Sequence, residues 1–124
     1  MSRLKPRDIV IASFPESDPQ GHEQVGTRPA VVLGLPRSLG KPRFDLVLLA
    51  PMTTAKNQSW AKRSPKLYPV LESGAGGLPA PSLVLLDQVR VLDSERIGRH
   101  VGTLTTEQYA PILEGVKAML ELGV

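Results

Sequence analysis

Residues 29–50 read PAVVLGLPRSLGKPRFDLVLLA. Two apolar runs, 29–35 and 43–50, flank PRSLGKP, whose prolines and glycine mark a turn. Runs of this length bounded by turn signals read as strands and are too short for a typical helix. Pro29 stands at the start of its run, where a missing N–H is tolerated. Upstream, residues 8–14, DIVIASF, form a third run rich in β-formers, ended by Pro15. Between them 15–27, PESDPQGHEQVGT, reads as a loop. Downstream, 52–66 is a basic loop, and 67–71, LYPVL, is a short strand whose Pro69 puts it at an edge or bulge. Residues 73–81 form a flexible loop. Residues 82–92, SLVLLDQVRVL, are one long strand or two with a bend near Asp87-Gln88, and 97–102 holds a helical turn or a bent strand. One helix closes the chain. Thr105 is its N-cap and Gln108 completes a capping box. An apolar stripe follows at Tyr109, Ile112, Leu113, Val116 and Leu120, and Gly123 serves as the stop. Five or more short strands and one helix give a mainly β fold, a small curled sheet or barrel capped by the helix.

The 124 residues are 41% hydrophobic and 22% charged, ordinary globular usage, and read as a single domain spanning 1–124. No apolar run approaches the ~20 residues that span a bilayer. The stretch 9–12 is too short for the core of an export signal. The expected location is therefore cytoplasmic, with no membrane partner. The absence of cysteine excludes disulfides, thiolate metal sites and thiol nucleophiles. Two histidines alone cannot build a three-ligand zinc site, so neither metal nor cofactor is expected. The net charge of +3 leans mildly towards polyanion partners. Its distribution is more telling: 52–66 carries Lys56, Lys62, Arg63 and Lys66, and 36–43 carries Arg37, Lys41 and Arg43, with no acid in either.

Three places can carry chemistry. Arg28 lies where the loop GHEQVGT feeds a strand, and a fixed guanidinium fork there suits a phosphate or carboxylate. The alternative is an Arg28–Glu23 ion pair that pins the loop. Thr53 and Thr54 follow the third strand, where hydroxyls can donate to a substrate oxygen or simply form a turn. Asp87 and Gln88 interrupt an apolar strand, so they are hydrogen-bonded, pocket-facing or at a bend. In the basic loop, Trp60 sits among Lys56, Lys62 and Arg63. Cations bind phosphate and an indole stacks on a base, unless the tryptophan packs on the barrel.

In order, RDIVIASFP, HEQVGTRPAVVLG, LLAPMTT, SGAGGLPAPSLVLLDQVRVLD and IGRHVGTLT resemble the MazF/PemK family of toxin endoribonucleases, the mRNA interferases of type II toxin–antitoxin systems. The resemblance runs from about Arg7 to the final helix. It implies a small SH3-like, strongly curved β-barrel of the CcdB/PemK kind with a C-terminal α-helix. It further implies a homodimer that cleaves single-stranded RNA without metal, and a cognate antitoxin whose acidic tail blocks the RNA groove. By the same resemblance Arg28 and Thr53 match the catalytic arginine and threonine, Glu23 and Gln24 the Glu-Gln before the arginine, and Asp87 and Gln88 a pair near the groove. Two features depart from the pattern. His22 stands where a small residue is common, and the 52–66 loop with Trp60 is longer than in compact members.

The implied chemistry is sound. Attack of an RNA 2′-OH on the adjacent phosphorus needs a base, an acid at the 5′-oxygen and donors for the phosphorane. Arginine suits the donor role because it stays protonated. Glu23 is a candidate base, although the glutamate side chain, ordinarily near 4.3, is a weak one, while His22 is the nearby residue of a type that ordinarily titrates near neutrality. Expected RNA contacts are His22, Gln24, Thr54, Lys56, Trp60, Lys62, Arg63, Asp87 and Gln88. His100 has no evident partner in the sequence. Two other functions are compatible with such a fold: a CcdB-like gyrase poison and a catalytically silent binding module.

Overall fold

The computed structural model describes residues 3–123, so the first two and the last residue of the expected 1–124 domain lie outside the described residues. The strands are β1 (Asp8–Phe14), β2 (Gly26–Gly34), β3 (Leu46–Thr54), β4 (Val70–Leu71), β5 (Ser82–Val84), β6 (Arg90–Asp93) and β7 (Ile97–Thr103), with helices α1 (Ser59–Lys62) and α2 (Thr106–Met119). All seven strands join one antiparallel sheet in the order β4-β5-β3-β2-β1-β7, with β6 added to β3. The sheet is strongly curved and does not close into a barrel, since β4 and β7 remain its two ends.

β3 organises this curvature. Its first half pairs β6 from Leu46↔Asp93 to Leu49↔Arg90, and on its other edge it pairs β2 as far as Ala30↔Pro51. From Met52 to Thr54 it pairs β5 instead. The strand begins at Leu46 and not at Arg43, and it runs past the expected end at Ala50 to take in the Thr53-Thr54 pair. Bulges at Val32/Gly34 and in the β1–β7 pairing add bend and twist. The 82–92 segment resolves as two strands separated by a 3-10 turn at Leu86–Gln88, the bend expected near Asp87-Gln88. The 97–102 segment is strand.

Alternate residues of β1–β3 enter opposite cores. Ile9, Val31, Ala50 and Met52 pack with Leu86, Leu104, Tyr109 and Ile112. Val10, Ala12, Phe14, Val32, Val47 and Leu49 pack with Leu92 and Ile97. Burial on both faces explains why these runs are continuously apolar. The curled sheet supplies both covers within one chain, so two-sided apolarity does not require a partner subunit.

The expected capping box is present: Thr105 Oγ1 accepts from Gln108 N at 3.1 Å, and Thr105 N donates to Gln108 Oε1 at 2.9 Å. The expected stripe is only partly buried. Tyr109 and Ile112 are buried, whereas Leu113 is 38% and Leu120 57% exposed. The helix instead packs through Gly115, where a Cβ would lie 3.2 Å from the Lys66 carbonyl oxygen and would overlap the Leu86 side chain. Gly123 is not the stop. The C-cap is Leu120, and Glu121 takes the left-handed conformation at φ 59°. Glu121 N donates to Ala118 O and Leu122 N to Lys117 O, at 3.1 and 2.8 Å, the hydrogen bonds of a Schellman ending.

Asp8 is a buried charge, and its carboxylate is fully served. It accepts from Thr103 Oγ1 at 2.7 Å, Lys5 N at 3.0 Å and Lys5 Nζ at 3.1 Å. His100 Nε2 lies 3.3 Å away, which supplies His100 with the partner its sequence context does not reveal. Burial pushes the Asp8 pKa up, but these hydrogen bonds from Thr103, Lys5 and His100 together hold it below the ordinary value. The cluster ties the N-terminal segment and β1 to β7.

Candidate active site

The β2–β3 ladder ends at Ala30↔Pro51. Neither Pro29 nor Pro51 has an N–H to extend it, and Pro51 O already accepts from Leu85 N at 2.9 Å. Continued by two residues, the register would set Arg28 opposite Thr53. Here β3 departs towards β5, and a groove of about 540 Å³ opens. His22, Gln24, Thr53, Trp60, Asp87 and Gln88 line it together with Gln58, Tyr68 and Leu85. The structure thus brings six of the nominated residues to one place.

Each wall has a local cause. The 21–25 loop is clamped by Gln88, whose Oε1 accepts from Gln24 N and whose Nε2 donates to His22 O, both at 3.2 Å. Gln88 is therefore held as a loop anchor. The basic loop is anchored too. Gln58 accepts from Lys56 N at 2.6 Å and donates to Thr54 O at 3.0 Å. Ala61 of the short helix α1 is buried against Leu83 and Leu85, with Tyr68 packed alongside. That small core presents Trp60, 42% exposed, edge-to-face with Tyr68 at 4.9 Å and 82°. Tyr68 OH donates to Asp87 Oδ2 at 2.6 Å. This bond to the carboxylate, with partial burial, raises the phenol pKa above its usual value. Thr53 is half-buried, and its hydroxyl has no protein partner among the described residues.

Arg28 does not pair with Glu23. Its Nε and Nη2 both donate to Val25 O, at 3.2 and 2.9 Å, which fixes the guanidinium on the backbone just past the groove-lining Gln24. Glu23 is exposed, with its carboxylate folded over Gly21, where an added Cβ would lie 2.5 Å from Oε2. Thr54, Lys56 and Arg63 are exposed outside the groove lining. Lys62 borders a neighbouring, more apolar groove of about 580 Å³ with Val70 and Leu83. Sequence reading missed Tyr68, which enters the groove wall through its bond to Asp87, and the lining residues Gln58 and Leu85 beside it. Among the described residues, no three His, Asp or Glu side chains converge as a metal site, and no helix is long and apolar enough to cross a membrane.

The arrangement combines a free hydroxyl, a backbone-fixed guanidinium nearby, an imidazole and an aromatic wall. It can hold a phosphate and an unstacked base side by side. Solved structures share the fold. MazF from Deinococcus radiodurans superposes with a TM-score of 0.72 at 23% identity, over 96% of this chain and 97% of that one. Mycobacterium tuberculosis toxin MazF-mt6 gives 0.64 at 24% identity, over 95% and 100%. A mycobacterial endoribonuclease, solved with its cognate antitoxin, gives 0.68 at 14% identity, over 100% and 99%. No curated protein gives a significant sequence match. The family model for PemK-like, MazF-like toxins of type II toxin–antitoxin systems matches residues 5–120, nearly the whole length, and the chain belongs to that family.

Proposed function

We propose that the chain is a single-domain, metal-independent endoribonuclease that cuts single-stranded RNA by 2′-OH attack on the adjacent phosphorus. The observation that carries this reading is the groove at the β2–β3 divergence. Its unpartnered Thr53 hydroxyl and the anchored Arg28 guanidinium at the same end of the sheet are the two family-matched donors. Thr53 donates to a non-bridging oxygen and Arg28 offsets the charge that builds on the phosphorane. His22 lines the groove and Glu23 does not, which favours the imidazole for proton transfer. The toxin acts in the cytoplasm as a homodimer, and an acidic antitoxin covers the groove and its basic loop. The solved relatives include a mycobacterial endoribonuclease with its cognate antitoxin and a Deinococcus MazE–MazF complex, which supports that partnership.

Arg28→Ala and Thr53→Ala test the assignment. Each is expected to lower the cleavage rate of single-stranded RNA by about 10²–10³, the usual effect of deleting one preorganised donor, with little change in melting temperature. Near-normal rates in either folded variant overturn it.

A further inference from the structure

The Tyr68–Asp87 pair does more than close the groove wall. Asp87 stands on the 3-10 turn beside Gln88, but the two side chains have different partners. Gln88 holds the loop, while Asp87 faces the groove with Oδ2 bonded to Tyr68. That bond fixes the carboxylate, and Oδ1 has no protein partner among the described residues. Next to it, Trp60 meets Tyr68 nearly perpendicularly and remains 42% exposed. A half-open aromatic ring offers any base a stacking surface, and a fixed carboxylate accepts hydrogen bonds without donating any.

We propose that this corner of the groove is a base-reading subsite that takes cytosine in preference to uracil, with the base stacked on Trp60 and its N4 amine donating to Asp87. The proposal rests on reading the groove as an RNA site. Cytosine and uracil match in size and differ along one edge: cytosine sets an N4 amine donor beside an N3 acceptor, uracil an O4 acceptor beside an N3–H donor. Held opposite position 4, the carboxylate accepts from the amine of cytosine and meets a lone pair of uracil, and a site built around one hydrogen bond rejects the analogue that lacks it there. Tyr68 is a positioning residue. Its phenol, protonated across the neutral range, donates to Asp87 Oδ2.

The test measures binding without turnover. Two short 2′-O-methyl oligoribonucleotides, all cytosine and all uracil, lack the attacking hydroxyl. The wild-type chain should bind the cytosine oligomer about tenfold more tightly, the scale of one hydrogen bond to a charged group. In Asp87→Asn the amide oxygen still accepts from Tyr68 while its NH₂ faces the base, so the preference should vanish or reverse. In Tyr68→Phe the ring stays and the preference should shrink. Three results overturn the proposal: equal or absent binding of both oligomers by wild type, an Asp87→Asn variant that weakens both alike, or an undiminished preference in Tyr68→Phe. The last decides the matter if Asp87→Asn does not fold. Cytosine preference without RNA cleavage would contradict the nuclease reading alone, and cleavage without preference would contradict the subsite alone.

Discussion

Asp8 shows how one residue can hold an end of this fold. Its carboxylate is buried among hydrogen bonds from Lys5 and Thr103 and lies beside His100. Because its folded pKa is depressed below the ordinary 3.8, its contribution to stability is present above about pH 4. That contribution fades as pH falls through the folded value and the carboxylate gains a proton. Melting temperature followed from pH 6 to pH 2 should therefore drop steeply below pH 4. Asp8→Asn should melt lower at neutral pH, with a shallower acid limb. An acid limb unchanged by that substitution would remove Asp8 from this role. Little of the cluster is legible in the sequence, because Asp8 and His100 meet only through the β1–β7 pairing, and an isolated histidine in IGRHVG gives no hint of its partner. Tyr68 is hidden for the same reason: its site role depends on a carboxylate 19 residues away.

At the scale of elements, the basic 52–66 loop is an ordered wall and not a free tether. Gln58 ties its backbone and Ala61 buries the short helix. Lys62 and Arg63 are exposed on and just after α1. If each neutralises one phosphate, changing both to Ala should weaken binding of single-stranded RNA. It should also reduce the slope of log K against log salt by about 1.4, at ~0.7 per phosphate. An uncleavable 2′-deoxy substrate keeps the measurement free of turnover, and an unchanged slope would show that these two cations do not touch the backbone. The elements themselves differ in how far sequence discloses them. The Thr105–Gln108 box is local chemistry and is found where the sequence places it. β3 continues past Ala50 because β5, from a distant part of the chain, offers Met52–Thr54 a new partner. Leu113 and Leu120 fit the helical period yet stay exposed, because close packing at Gly115 sets which face meets the sheet. In the site, Thr53 was legible as a hydroxyl at a strand end, and Asp87 and Gln88 as a polar pair interrupting an apolar strand. The role of Gln88 as a loop clamp was not, since it depends on a tertiary approach to His22 and Gln24.

The whole molecule curls so that one sheet serves its two larger cores, and β-strand apolarity is satisfied inside a single chain. A homodimer must therefore draw on other surface. Leu113, Met119, Leu120 and Leu122 are exposed in and just after α2 and offer apolar surface for it. Light scattering at micromolar concentration should give twice the 13.4 kDa chain mass, and a monomer mass would contradict the proposed assembly. The central claim concerns chemistry, and the ends of the cut RNA read it most directly. A long single-stranded RNA incubated with the protein in EDTA should be cleaved to fragments ending in 2′,3′-cyclic phosphate and beginning with 5′-OH. Fragments that begin with 5′-phosphate, or cleavage that appears only when Mg²⁺ is restored, would contradict attack by the RNA's own 2′-hydroxyl.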